Sequence, residues 1–296
     1  MQASNEIRAL LQLLDDPEPE VYQVVAEKLL HYGQVVVPFL EGYWENIPDG
    51  FARNRAEELI GRVNFLALHR ELAVWAAQKK PNLIRGAALV AKFQYPGLDV
   101  DRVLLQFDKI KKDVWLELNA YMTALEQVNV INTMIFKYYK YHGHDLSERN
   151  LGHFFVNDLL ATKHGNAYSI GVIYLALCEA LDVPLFAVDI PRQFIFAYID
   201  LVHNYLYPHD EGEQKIRFFL DPATGVLYTQ NDVDVYLDKI HAVDRSTFFH
   251  PLPTKRIIFK MMEELALCFR YKKEDSRADE LVELMQILLP NVDEAQ

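Results

Sequence analysis

The stretch HGNAYSIGVIYLALCEALDVPLFAVDIPRQFIFAYI, residues 164–199, decides the fold. From Tyr168 to Leu181 the chain is apolar on nearly every side, which predicts a buried helix. Asp182-Val183-Pro184 stops it, because proline cannot continue a hydrogen-bonded turn. Leu185 to Asp189 reads as a strand. Phe194 to Ile199, β-branched and aromatic, reads as a second, with turn chemistry at Pro191-Arg192 before it. Further on, Pro208 to Gly212 reads as a hairpin loop and Ile216 to Leu220 as a third strand. Asp221-Pro222-Ala223-Thr224-Gly225 then turns the chain into Val226-Leu227-Tyr228. One helix followed by consecutive short strands predicts an α+β core with a small antiparallel sheet.

Upstream of residue 164 the pattern is helical. Two helices are expected between Leu83 and Leu118, split at Tyr95-Pro96-Gly97, with an aspartate of Leu98-Asp99-Val100-Asp101 capping the second. Helical spacing continues from Tyr121 to Tyr139, and Phe154 to Leu160 is a short helical turn. Tyr141 to Asn150, polar and turn-rich, is expected to be a loop. Its His142-Gly143-His144-Asp145 raises the question of a metal. Two histidines at i, i+2 do not share a helix face, and no further His/Cys set follows at ligand spacing. No metal site and no cofactor are therefore expected.

At the N-terminal end, Leu10, Leu11, Leu13 and Leu14 form one apolar stripe, broken by Asp15-Asp16-Pro17-Glu18-Pro19-Glu20. A second stripe runs from Val21 to Leu30, and a third helix starts at Val35 to Leu40, where Pro38 fits a first turn. The phrase from Asp15 to Leu40 resembles a HEAT-type repeat, although a solenoid needs about three such units to bury its faces. At the other end, Pro253 to Leu289 reads as an amphipathic helical pair. The expected organisation is a mostly helical region at 1–82, an α+β core at 83–250 and a helical tail at 251–296.

The order of helix, strand, strand, strand, with Gly165-Asn166-Ala167 opening the helix, Leu181-Asp182-Val183-Pro184 closing it and D-P-x-x-G at Asp221–Gly225, resembles the transglutaminase-like superfamily. Its core is a papain-type arrangement. There a cysteine stands at the helix start, a histidine on the next strand and an aspartate on the one after. The placement follows from chemistry: a helix N-terminus favours the thiolate, the histidine takes its proton and the acid orients the histidine. Carried onto this chain, the resemblance puts Ala167 at the cysteine position, Gln193 at the histidine position and Asp221 at the acid position. An alanine methyl is no nucleophile, and a glutamine amide does not titrate. The implied triad is thus degenerate, with Ser169 the fallback nucleophile. Cys178, eleven residues after Ala167, lies about 16 Å along the helix at 1.5 Å per residue and is expected to be a core thiol.

His164-Gly165-Asn166-Ala167-Tyr168-Ser169-Ile170, Pro191-Arg192-Gln193-Phe194 and the lead-in at Gly86–Ala91 and Tyr95–Asp99 are similar to the SirB-type bacterial subgroup. Met261 to Leu289 is similar to that subgroup's tetratricopeptide-like tail. The resemblance implies a non-catalytic protein-interaction or regulatory module binding a protein or peptide. The alternative is a hydrolase or acyl-transferase using a non-standard nucleophile such as Ser169.

Composition bounds the partners. With 30 Lys+Arg against 42 Asp+Glu, the formal charge of the 296 residues is −12. Such a surface repels phosphate backbones and offers no polybasic patch, so neither nucleic acid nor membrane is expected as a partner. Two cysteines, Cys178 and Cys268, make no disulfide framework and fit a reducing, cytoplasmic setting. MQASNEIRALLQLL has no basic n-region, so no signal peptide is expected. The longest purely apolar stretch, Ile170 to Cys178, falls short of the ~18 residues of a membrane span.

Overall fold

A computed structural model describes residues 2–48, 50–201, 215–243 and 245–289. The hairpin loop expected at Pro208 to Gly212 lies outside them. The chain divides into two compact units, Met1–Val74 and Trp75–Gln296.

In the first unit the apolar stripes become α1 (Gln2–Leu11), α2 (Pro19–His31) and α3 (Val37–Asn46). α4 (Phe51–Ala76) follows, its last residues belonging to the second unit. Leu10, Leu14, Leu29, Leu40 and Leu59 share one core. Arg55 is buried there, which its charge permits only because it is fully engaged. Its guanidinium donates to the carbonyls of Leu14 at 2.9 Å and Asp16 at 2.7 Å, and lies over the rings of Tyr22 and Phe51. It thereby satisfies two carbonyls of the turn that links α1 to α2.

In the second unit α5 (Leu83–Gln94) and α6 (Val100–Glu117) are capped by Asn82 and Asp99, whose side chains accept from the N–H groups of Arg85 and Arg102. α7 (Ala124–Asn132) starts at a reciprocal Thr123–Glu126 capping box and runs straight into a π-helical turn, Thr133–Tyr138. Then comes a difference from the sequence reading. His142–His144, expected in a loop, is strand β1, paired in parallel with β2 (His164–Asn166). Between them lie two single 3₁₀ turns, Leu146–Glu148 and Leu151–Phe154, and α8 (Val156–Thr162). Neither three-residue strand carries the alternation that marks a strand, so the pairing left no signal.

α9 (Ala167–Ala180) is the centre of this unit, buried from Tyr168 to Cys178. Beside it an antiparallel sheet runs in the order β3 (Leu185–Val188), β4 (Ile195–Ile199), β5 (Ile216–Leu220) and β6 (Leu227–Tyr228). Every residue of β4 is buried because both faces are covered. Tyr174 of α9 faces Phe196 on one side. On the other, Ile195, Ala197 and Phe219 pack with Val233 and Leu237 of α10 (Gln230–Lys239). The sequence reading omitted α10, although the Thr229–Asp232 capping box announces it. The tail forms α11 (Thr254–Tyr271) and α12 (Asp275–Gln286). Phe269 meets Phe93 of α5 edge-on at 5.8 Å, and Arg277 donates to the Phe93 carbonyl at 3.0 Å. The α+β class with an antiparallel sheet stands.

Among the described residues, no helix is long and apolar enough to cross a membrane.

Candidate functional site

Ala167 is the first residue of α9 and Asn166 its N-cap. The Asn166 side chain accepts from the N–H groups of Tyr168 at 2.9 Å and Ser169 at 3.1 Å. In return Ser169 Oγ accepts from the Asn166 N–H at 3.1 Å and donates to the His153 carbonyl at 2.6 Å. Ser169 is fully buried. Its hydroxyl is committed to the helix start, and its short acceptor is a main-chain oxygen of His153, not an imidazole nitrogen.

Gln193 stands in the turn before β4, where its amide reaches the Tyr236 hydroxyl at 3.5 Å. Tyr236 in turn donates to the Pro191 carbonyl at 2.9 Å. Asp221 follows β5, and its carboxylate closes its own turn: one oxygen accepts from the Ala223 N–H and the other from the Thr224 hydroxyl, both at 2.8 Å. The resemblance puts Asp221 at the acid position and Gln193 at the histidine position, where acid and histidine would be bonded to each other. In this chain each side chain is held by a different neighbour.

Ala167, Gln193 and Asp221 nevertheless line one cleft of about 630 Å³. His144, Asp232 and Tyr236 also face it. So does Asp145, whose carboxylate accepts from the Ser147 N–H; Asp232 likewise closes the Thr229 capping box. These bonds favour the charged form and hold both carboxyls below their ordinary range. The cleft is therefore lined by Asp145, Asp221 and Asp232, against Arg192 as its cation.

No His/Cys set recurs at local ligand spacing, yet the fold gathers four of the chain's ten histidines, His142, His144, His153 and His164, ring against ring, and His144 of these lines the cleft. Among them, His144 and His153 stand with Glu148 so that one donor atom from each lies within 4.8 Å of the others. His144 Nε2 lies 2.8 Å from His164 Nδ1, and the rings of His142 and His164 stack. Spacing arguments missed the set because 3₁₀ turns and a parallel strand pair, not one helix, bring it together. Burial and the neighbouring imidazoles lower the His153 pKa.

The cysteines are core thiols. Cys178 is fully enclosed, and burial pushes its pKa far up; Cys268 is also raised by burial and donates to the Arg149 carbonyl at 3.0 Å. Iodoacetamide at neutral pH is accordingly expected to label neither thiol in the native protein within an hour and both after denaturation. Rapid native labelling of Cys178, read by mass spectrometry, would contradict this packing.

Helix α9, the strands that follow it, and a cleft over the helix start and two strand ends define an α+β protein built around a papain-type site location. A family model described as the transglutaminase-like superfamily matches residues 101–263, and the chain belongs to that superfamily. No curated protein and no solved structure matches the chain.

Proposed function

We propose that this chain is a non-catalytic member of its superfamily, a module whose cleft binds a protein or peptide segment. The observation that carries the reading is the state of the cleft: it is a real space of about 630 Å³, yet a methyl group stands at the helix start and an amide at the facing turn. With neither a cysteine nor a histidine at those two positions, the remaining polar groups of the cleft are read as recognising a ligand and not cleaving it. A degenerate Cys-His-Asp set at Ala167, Gln193 and Asp221 follows from the resemblance. The buried, doubly bonded Ser169 hydroxyl speaks against the alternative nucleophile, since attack needs a free lone pair and a base within reach.

The ligand that suits the cleft is basic. Asp145, Asp221 and Asp232 outnumber Arg192 there, and the chain carries −12 overall, which favours lysine- or arginine-bearing segments at moderate salt. The helical first unit, read as a HEAT-like cap, and the α11–α12 pair, read as a tetratricopeptide-like tail, extend the same interaction role. Likeness to the SirB-type subgroup fits a regulatory setting in the cytoplasm.

The test is a displayed peptide library panned on the wild type and counter-screened on Ala167→Trp, which puts an indole into the cleft at the helix start. Basic peptides that lose at least tenfold in affinity for the variant and weaken with rising salt are expected. Binders indifferent to Ala167→Trp would count against the cleft. In parallel, activated esters and glutamyl amides should show no turnover above background with the wild type or Ala167→Cys; only Ala167→Cys combined with Gln193→His rebuilds a nucleophile and base. Wild-type turnover would overturn the non-catalytic reading.

A further inference from the structure

We propose that His144, Glu148 and His153 form a binding site for one divalent transition-metal ion of the zinc class. The proposal goes beyond the peptide-binding reading and does not depend on it.

The donors come from one short stretch whose backbone is held residue by residue. β1 ends at His144. The Asp145 side chain caps the turn that carries Glu148, and Arg149, at φ 50°, reverses the chain in the left-handed region. Asn150 then caps the turn that carries His153, accepting from the Gly152 N–H at 3.0 Å. The His153 carbonyl is fixed by Ser169 Oγ, and the Arg149 carbonyl by the Cys268 thiol. The Arg149 guanidinium also lies 4.1 Å above the Tyr271 ring. The ligand residues thus sit on a frame anchored to α9 and α11.

The side chains on that frame point at one another. His144 Nδ1 lies 3.1 Å and His153 Nδ1 4.0 Å from the same oxygen, Glu148 Oε2. Donors around a tetrahedral ion at ~2.1 Å stand roughly 3.4 Å apart, so the first pair is at that spacing and the second is about 0.6 Å wider. The rings of His144 and His153 stack at 4.1 Å, so their in-plane lone pairs run nearly side by side and a rotation of one ring aims both at a single ion.

A carboxylate oxygen facing two imidazole nitrogens is met either by an imidazole N–H or by a metal ion that replaces that proton. Behind His144, its other nitrogen meets His164 Nδ1 at 2.8 Å, the outer hydrogen bond that metal-bound histidines use to fix tautomer and orientation. Two imidazoles with one carboxylate suit zinc and its neighbours; calcium and magnesium want an all-oxygen shell.

The test uses the full chain, freed of metal by a chelator, and Zn²⁺ as the probe, with Co²⁺ as spectroscopic reporter and Mg²⁺ and Ca²⁺ as controls. One equivalent of Zn²⁺ is expected to bind, raising the thermal midpoint, and Co²⁺ to give the intense visible absorption of a four-coordinate site. Glu148→Gln changes a half-exposed side chain and leaves the fold intact; with His153→Gln it should abolish the stoichiometric site and the Co²⁺ spectrum. His164→Ala is expected to weaken binding by ~10–100-fold while keeping one equivalent. No stoichiometric Zn²⁺ uptake overturns the proposal. So does uptake unchanged in both ligand variants, or equal uptake of Mg²⁺ or Ca²⁺.

Discussion

Gly143→Ala is expected to destabilise the second unit by about 3 kcal/mol or more, at the top of the usual range for overpacking. A Cβ at Gly143 falls 2.1 Å from the Ala223 carbonyl oxygen, 2.7 Å from its carbon and 2.9 Å from its Cα. These are backbone atoms, so no side-chain rotation relieves the clash. The strand or the Asp221–Gly225 turn must move. Asn132 holds that turn from its other side, its side-chain amide donating to the Gly225 carbonyl at 2.9 Å. Thermal unfolding reads the result: roughly 2–4 °C per kcal/mol for a domain of this size gives a drop of about 6–12 °C. Gly97→Ala is the control, because its Cβ meets open space. Equal midpoints for the two variants would mean that β1 does not rest on the turn.

The second large effect is expected at Ser169. Replacing it by alanine removes the hydroxyl that donates to the His153 carbonyl and accepts from the buried Asn166 N–H. Each buried group left without a partner costs roughly 1–3 kcal/mol, so a loss of about 2–6 kcal/mol is expected from chemical denaturation. Peptide binding at the cleft should survive under conditions where the variant remains folded. The opposite pattern, unchanged stability with altered turnover or binding, would return this hydroxyl to the functional site.

What the sequence discloses follows the strength of local signals. α9 is legible because an apolar run ending at Val183-Pro184 has few other solutions, and β3, β4 and β5 because aromatic and β-branched residues cluster between turn residues. The cleft positions Ala167, Gln193 and Asp221 are legible only through resemblance, since an alanine, a glutamine and one aspartate carry no chemical signal of their own. The histidine cluster stays hidden for another reason. His144, Glu148 and His153 follow neither helical nor strand periodicity, and the left-handed Arg149 that folds them together is not a glycine. Likewise the π-helical turn after α7 reads as ordinary helix, because one extra residue per turn leaves the composition unchanged.

The way Asp221 spends its carboxylate bears on how other chains should be read. One oxygen binds the Ala223 N–H and the other the Thr224 hydroxyl, so the acid is required by the D-P-x-x-G turn whether or not any imidazole ever approaches it. A retained aspartate at this place is therefore poor testimony for a working triad. It testifies to the bend that seats β1, and a sorting of active from inactive homologues should weigh the helix-start residue and its facing partner instead.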